Sequence, residues 1–472
     1  MNPSLLSRRD ALRQTTTSFV WLAFSALAQR EAFAAGSLTP KPAHFPARAK
    51  RVIMLVMPGG PSHMDTFDYK PQLIKDHMKE ASVGRMSGSK LLGPQWEFRQ
   101  RGQNGLWTSD LFPNIAKHAD DLCLLRGMHT DIPDHDRAQL QLHTGNIQFP
   151  RPSLGAWSLY GLGTESENLP GFVWMNAGKN ARNITSNHFL PAPFRGTAIN
   201  VPKNEGGGES SGRKGRRAGM SGKPNGISNI RNPRLSPELQ RHQLDFVQAL
   251  NRDKVDRAIK QPGVDGVIES YELAFRLQSH LPDVMDLSKE SDRTKSMYGI
   301  GTSETDEFGR KCLVARRFAE AGVRFIALGH SPGWDSHGNL REQLPKTCAA
   351  TDKPIAGLLQ DLKQRDMLKD TLVLWSGEFG RTPHSKNGNG RDHNAKGFTS
   401  WMAGAGVKGG FSYGGTDEHG LEAVEGKMHI HDWHATILHL LGLDHEKLTY
   451  RYAGRDFRLT DVKGQVAKAI LA

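Results

Sequence analysis

Cysteine is scarce in this sequence: only three occur among 472 residues, at Cys123, Cys312 and Cys348. Three widely spaced cysteines cannot form a disulfide framework or the paired Cys motifs of structural zinc sites. Long hydrophobic runs are also missing, because the apolar stretch SFVWLAFSALA near the N-terminus is too short to cross a bilayer and no later segment is longer and more apolar. The sequence therefore favours neither a disulfide scaffold nor an integral membrane protein.

Histidine is plentiful by contrast, with 20 residues. Because neutral imidazole is a common metal ligand, this composition points towards metal chemistry. Hydrophobic residues make up 37% of the chain, and a chain of 472 residues can bury a large core. We therefore expect a globular protein, and large α/β folds of this length often form a single domain.

Residues 1–34 have the pattern of an export signal. Arg8 and Arg9 precede the apolar stretch, and AFAAG offers a small-residue cleavage site after Ala34. The arginine pair resembles a twin-arginine signal, so we expect export to the periplasm or beyond. The mature chain, residues 35–472, would then form one domain without a membrane-spanning segment.

A basic insertion occupies residues 199–235. It carries eight Lys or Arg against Glu205 and Glu209, which is +6 of the formal net charge of +13. The segment is rich in Gly and Ser, so we expect an exposed, flexible loop. Nucleic-acid binding is not favoured because no aromatic residues interleave the charges. Contact with an anionic polysaccharide or substrate fits an exported protein better.

Apolar runs alternate with amphipathic segments along the chain. Strands are predicted at RVIMLVM (51–57), DLCLLRGM (121–128), VRFIALG (323–329) and TLVLWSG (371–377), and helices at 237–253, 266–278, 308–322 and 352–368. Near-continuous apolar strands separated by helices predict an α/β/α sandwich around a largely parallel sheet. Ligands of such sheets bind beyond the carboxyl ends of the strands.

Carboxylates and imidazoles follow each predicted strand. Asp65 follows the first strand, His135 the second, Asp335 and His337 the third, and Glu378, Asp392 and His393 the fourth, while His431 lies in a C-terminal His-rich segment. Oxygen and nitrogen donors without Cys suit Zn²⁺ or Mn²⁺, and suit Ca²⁺ less well. We predict one or two divalent ions (Zn, Mn or Ca), with these metal ligands: Asp65, Asp335, His337, Glu378, Asp392, His393 and His431. Two ions about 4 Å apart can clamp a phosphoryl or sulfuryl centre, and Arg381 would hold one of its oxygens.

Several motifs together resemble a known family. GGPSHMDTFD, CLVARRFAEAGVRF, WDSHGN, GEFGRTP, GRDHNAKGF, GTDEHG and HIHDWHATILHLLGLDH occur in the order seen in the exported domain-of-unknown-function family 1501. That family is similar to the alkaline phosphatase and arylsulfatase superfamily, which implies an α/β/α sandwich and the hydrolysis or transfer of phosphate or sulfate esters. The resemblance implies that Asp335 and His337 bind one metal, that Glu378 binds another, and that His393 is a further ligand.

These motifs do not identify the nucleophile. Members of the superfamily usually carry an Asp at the end of the first strand, where this chain has MPGG, and no Ser or Cys stands at the formylglycine position of sulfatases. Thr130 is one candidate nucleophile at a helix entrance. His135 is the other candidate, as a nucleophile, a metal ligand or a general acid.

Two functions follow from these residues. The first is an exported, metal-dependent hydrolase of phosphate or sulfate esters, with a sulfated polysaccharide among the candidate substrates. The alternative is a catalytically inactive relative that binds an anionic glycan or a protein partner in the same cleft.

Overall fold

The computed structural model describes residues 38–81, 88–175, 181–201, 235–257, 262–329, 333–386 and 388–472. The predicted signal peptide and nearly all of the predicted basic insertion lie outside the described residues. In the described part of the chain, no helix combines the length and the apolar character needed to cross a membrane.

A nine-stranded sheet forms the centre of the part of the chain that the structure describes. Its strands are β1 Arg51–Val56, β5 Leu122–His129, β6 Phe172–Met175, β7 Thr197–Ile199, β8 Phe325–Gly329, β9 Thr371–Ser376, β13 Phe398–Ala403, β14 Phe411–Tyr413 and β17 Met428–His429. Their order is β14-β5-β13-β9-β1-β8-β6-β7, and β17 pairs with β5. The remaining strands form two-stranded pairs: β2 Lys90–Leu91 with β11 His384–Ser385, β3 Phe98–Arg101 with β4 Leu106–Ser109, β10 Gly380–Arg381 with β12 His393–Asn394, β15 Gly415–Thr416 with β16 Ala423–Glu425, and β18 Tyr450–Tyr452 with β19 Arg455–Phe457.

The central sheet is largely parallel. β1 runs parallel to β8 and to β9, with Ile53 opposite Ile326 on one side and Val373 on the other. Only β13, among the described strands of this sheet, is antiparallel to its neighbours β5 and β9. All six residues of β9 are buried, as expected of an apolar strand covered on both faces.

Eleven α-helices occur in the described residues. They are α1 His63–Thr66, α2 Pro71–Lys75, α3 His135–Thr144, α4 Leu154–Leu162, α5 Ala181–Thr185, α6 Pro237–Arg257, α7 Pro262–Met285, α8 Asp292–Met297, α9 Asp306–Glu320, α10 Leu340–Gln364 and α11 Ile430–Leu440. The predicted helix at 352–368 begins twelve residues earlier than expected, because α10 continues through Pro345 and Pro354.

Two hydrophobic cores lie on opposite faces of the sheet. Ile53 and Leu55 of β1 point into the core covered by α9 and α10, where Leu313 and Leu358 lie. Val52 and Met54 point into the core covered by α4 and α11. Side chains of a strand alternate between its faces, so the continuous apolar run of β1 contributes side chains to both cores. The predicted α/β/α sandwich with a largely parallel sheet is confirmed.

Candidate metal centre

Four side chains converge beyond the carboxyl ends of the strands. We call them the four-donor cluster: His135 on the first turn of α3, Asp335 and His337 in the loop after β8, and His393 in β12. Asp335 lies at the middle of this group. Its Oδ1 is 3.1 Å from His337 Nε2 and 3.2 Å from His393 Nε2. Its Oδ2 is 3.3 Å from His135 Nε2.

Each imidazole is held from behind through Nδ1. His135 Nδ1 lies 2.6 Å from Glu378 Oε1, His337 Nδ1 lies 3.1 Å from Asp392 Oδ1, and His393 Nδ1 lies 2.9 Å from the carbonyl oxygen of Pro133. Carboxylate and carbonyl oxygens accept hydrogen bonds, so in a neutral imidazole the proton sits on Nδ1. All three Nε2 lone pairs therefore face the cluster, which is the arrangement of metal-binding histidines with outer hydrogen-bond partners.

The donor atoms fit a transition-metal ion. His337 Nε2 and His393 Nε2 are 2.9 Å apart, and a carboxylate oxygen of Asp335 lies beside both. Donors about 2.0–2.2 Å from a tetrahedral ion lie roughly 3.3 Å from one another, close to the distances between Asp335 and the three Nε2 atoms. One ligand atom each of His135, Asp335 and His393 lies within 4.8 Å of the others. Imidazole nitrogens beside a carboxylate oxygen suit Zn²⁺ or Mn²⁺ better than Ca²⁺, which prefers oxygen ligands.

The cluster opens to solvent on one side. The side chains of Asp335 and His337 are 47% and 49% exposed, whereas His135 is 29% exposed and its partner Glu378 is fully buried. A substrate can therefore approach from the side of Asp335 and His337, while the Glu378 side is closed by protein.

Arg381 is buried behind Asp335. Its guanidinium donates to Asp335 Oδ1 at 2.5 Å, to the carbonyl of Gly60 at 2.9 Å and to the carbonyl of Arg391 at 3.0 Å, and it also contacts the carbonyl of Gly59. The side chain is 1% exposed. The sequence predicts that Arg381 contacts a substrate oxygen. In the structure its N–H groups instead donate to the loops after β1 and β8 and orient Asp335.

Charges around the cluster shift the acidities of its members. Partial burial alone would raise the pKa of Asp335, but the hydrogen bond and charge of Arg381, with His393 and His135, hold that pKa well below its usual range. Burial alone would lower the pKa of His135, and the hydrogen bond and charge of Glu378 outweigh it, so the pKa is raised. Burial lowers the pKa of His393. Asp335 is thus ionised, and the neutral form of His393, which is the form that can bind a metal, is favoured.

Glycines after β1 bring its end against the cluster. Gly59 has φ +119°, and a Cβ added there would lie 2.7 Å from the backbone nitrogen of Asp335. The N–H of Gly59 donates to Glu378 Oε1 at 2.9 Å. The end of β1 therefore has no space for a side chain at residue 59, and its backbone supports the Glu378–His135 pair.

Five of the seven predicted metal ligands lie in or next to the cluster. Asp335, His337 and His393 are three of the four donors, while Glu378 and Asp392 lie behind two imidazoles. Asp65 lies elsewhere, fully buried in an ion pair with Arg391, whose Nε is 2.7 Å from Asp65 Oδ2.

His431 and Thr130 also lie outside the cluster. His431 Nε2 is 2.7 Å from the carbonyl oxygen of Gly145 at the end of α3, and its side chain is buried. The hydroxyl of Thr130 donates to Gln141 Oε1 at 2.6 Å. An amide oxygen is not a base that could activate a hydroxyl nucleophile.

The residues that act through their backbone are not recognisable from the sequence. The carbonyl of Pro133 and the N–H of Gly59 carry no side-chain signal, and Arg391 was not singled out. The paired glycines of PGGPS are the one local sign that another segment approaches the backbone closely at this point.

The class defined by this fold and site is an α/β/α sandwich with a histidine-rich candidate metal centre at the carboxyl ends of its parallel strands. The chain belongs to the family described as "Protein of unknown function (DUF1501)", whose model matches residues 49–471. The family predicted from the motifs is thereby confirmed. No curated protein matches this chain.

Several solved structures are similar to the chain over most of its length. The PsFucS1 sulfatase from Pseudoalteromonas sp. is 13% identical with a TM-score of 0.33, over 84% of this chain and 68% of that one. The lipoteichoic acid synthase LtaP from Listeria monocytogenes is 8% identical with a TM-score of 0.36, over 90% and 78%. An alkaline phosphatase superfamily protein from Vibrio parahaemolyticus is 9% identical with a TM-score of 0.30, over 86% and 70%.

Proposed function

We propose that this chain is an exported, metal-dependent hydrolase of phosphate or sulfate esters, with anionic polysaccharides among its candidate substrates. The observation that carries the proposal is the convergence of three imidazole Nε2 atoms on Asp335, each imidazole being held through Nδ1 by an outer acceptor. A divalent ion held there would act as a Lewis acid on an oxygen of the ester. The proposal that the chain is exported rests on the sequence pattern of residues 1–34.

The chain's own residues would hold the ion and leave one side open. His135, His337, His393 and Asp335 supply donors, and Glu378, Asp392 and Arg381 fix their orientation. Because Asp335 and His337 are about half exposed, the ester would approach from their side. Preorganised donors in a partly buried site are the usual source of electrostatic stabilisation in hydrolases.

The test combines metal analysis with an ester panel. Full-length protein is purified and its divalent metal content measured, followed by assays against p-nitrophenyl phosphate, bis(p-nitrophenyl) phosphate and p-nitrophenyl sulfate. We expect about one transition-metal ion per chain and turnover of at least one ester. The variants Asp335→Ala and His393→Ala should lose both, whereas His280→Ala, at an exposed histidine on α7, should keep both.

The second candidate is a metal-binding relative without turnover, which binds an anionic glycan or a protein partner in the cleft. It is favoured by two observations: residue 59 has no space for a side chain, and the donors of Arg381 point into protein. Stoichiometric metal in the wild-type protein without hydrolysis of any ester would support this candidate and reject the hydrolase.

A further inference from the structure

Among the residues that the structure describes, four charged side chains belong to the four-donor cluster or contact it. Asp335 belongs to the cluster, Glu378 contacts His135, Asp392 contacts His337, and Arg381 contacts Asp335. The same three carboxylates are the ones whose charge acts on the Arg381 guanidinium. Three carboxylates and one guanidinium amount to a charge of −2 when the imidazoles are neutral. The neighbouring Arg391–Asp65 pair adds nothing to this balance, because its charges cancel.

One divalent ion would bring this centre to zero charge. The positive charge of Arg381 is already included in this sum, and it does not face the substrate side. The side chain is 1% exposed and donates to Asp335 and to the carbonyls of Gly60 and Arg391. The half-exposed carboxylate of Asp392 lies on the open side with His337. A dianion entering there would lose hydration next to carboxylates without meeting a net positive charge.

We infer that the group this site accepts carries one negative charge, as in a sulfate monoester or a phosphodiester, and not the two charges of a phosphate monoester. The inference rests on the proposed function and narrows its substrate class. It follows from the charge balance of this chain's own side chains.

A binding experiment tests the charge preference without turnover. Metal-loaded full-length protein is titrated calorimetrically with sulfate, methanesulfonate and dimethyl phosphate at pH 7.5, since sulfate is a dianion and the other two are monoanions of similar shape. We expect both monoanions to bind at least as tightly as sulfate. Sulfate binding tenfold tighter than methanesulfonate, or no binding of any of the three, would overturn the inference.

A charge variant sharpens this experiment. Asp392→Asn removes one negative charge on the open side and keeps an oxygen that can face His337. Because the interaction scales with ligand charge, a threefold gain for methanesulfonate should accompany a gain of about ninefold for sulfate. Asp456→Asn makes the same charge change on the exposed β18–β19 hairpin and should alter neither affinity. Metal content is measured for each protein before titration, and equal gains for both anions would count against the inference.

Turnover separates this inference from the proposed function. Rate enhancements are compared for p-nitrophenyl sulfate, methyl p-nitrophenyl phosphate and p-nitrophenyl phosphate, which share one leaving group. We expect one of the first two, sulfate ester or diester, to show the largest enhancement, by about tenfold or more. A preference for p-nitrophenyl phosphate would reject the inference about charge but would still support the proposed hydrolase function. Hydrolysis of none of the three would reject both.

Discussion

Single residues decide whether the donors of the cluster are ready to bind an ion. Glu378 is the deepest of them: it is fully buried, accepts from the N–H of Gly59 and holds His135 Nδ1 at 2.6 Å. The sequence predicts it as a metal ligand, whereas in the structure its carboxylate contacts Nδ1 of His135, on the far side of that ring from Asp335. A buried carboxylate in this position fixes both the tautomer and the direction of the ring.

The variant Glu378→Gln tests this positioning role. The amide oxygen can take the place of Oε1, which accepts from both Gly59 and His135, but it carries no negative charge with which to hold the imidazole. We expect metal affinity to fall about 10–100-fold, as is typical for outer partners of metal-binding histidines. Competition with a chromophoric chelator measures the affinity. Urea unfolding of the metal-free forms is the control for folding, and unchanged affinity would contradict the role.

His143 and His434 are among the buried histidines that lie away from the cluster. Burial lowers the pKa of His143 to about 3 and that of His434 to about 3, from the ordinary 6.5. The unfolded chain takes up these protons below pH 6.5 and the folded chain only near pH 3. The free energy of unfolding therefore falls as pH drops from 6.5 towards 3.

The variant His434→Gln should flatten this acid dependence. Its side chain can still donate to the carbonyl of Leu142, which His434 Nε2 contacts at 2.8 Å. We expect the difference in stability between pH 7.5 and pH 4.5 to shrink relative to the wild type, as measured by urea unfolding at both values. The exposed His280→Gln should leave the difference unchanged. If the free energy of unfolding changes equally between the two pH values in His434→Gln and in the wild type, this histidine does not contribute to the acid dependence.

At the scale of elements, the loop after β1 packs against the loop after β8. Gly59 leaves space for Trp334 and Asp335, since a Cβ would come within 2.7 Å of the Asp335 nitrogen and 3.1 Å of the Trp334 Cβ. Arg381 contacts both loops, donating to Gly60 and to Asp335. The position of Asp335 is thus set by two neighbouring parallel strands and not by its own loop alone.

Gly59→Ala tests that contact. The new methyl group should push the β8 loop away from β1 and weaken metal binding by at least tenfold. Gly301→Ala is a matched control, because Gly301 also has a positive φ, +92°, and no atom within 4 Å of an added Cβ. Both variants should lose roughly 1 kcal/mol of stability from the backbone conformation. Metal affinity that falls equally in both would assign the effect to backbone strain and not to the loop contact.

At the scale of the whole molecule, a buried ion pair joins distant parts of the chain. Asp65 and Arg391 are separated by 326 positions and both side chains have zero exposure. Removing one partner of a buried pair leaves an uncompensated charge, which costs about 3–5 kcal/mol. Replacing both partners with apolar residues of similar size is often nearly neutral.

The single variants Asp65→Asn and Arg391→Met, and the double variant Asp65→Leu with Arg391→Met, test the pair. We expect each single change to lower the free energy of unfolding by about 3–5 kcal/mol and the double change to recover most of it. Folded Asp65→Asn should keep its metal content. Loss of metal with unchanged stability would instead support the sequence-based prediction that Asp65 is a ligand.

Much of this architecture could be predicted from local sequence. The apolar runs at 51–57, 121–128, 323–329 and 371–377 correspond to β1, β5, β8 and β9, because a strand buried on both faces needs a continuous apolar run. Asp335, His337 and His393 were recognisable because they follow such strands. The start of α10 at Leu340 was not recognisable, because Pro345 reads locally as a helix breaker while the folded chain keeps the helix continuous through it.

The sequence alone determined the α/β alternation, the family, and which loops carry carboxylates and imidazoles, since these follow from periodicity and from residue type along the chain. Tertiary structure decided which of those side chains face one another. Glu378 meets His135 across 243 positions, whereas Asp65 meets Arg391 and leaves the cluster. The physical reason is that each donor needs a partner for its remaining hydrogen-bonding atoms, and only the folded loops determine which partner lies within reach.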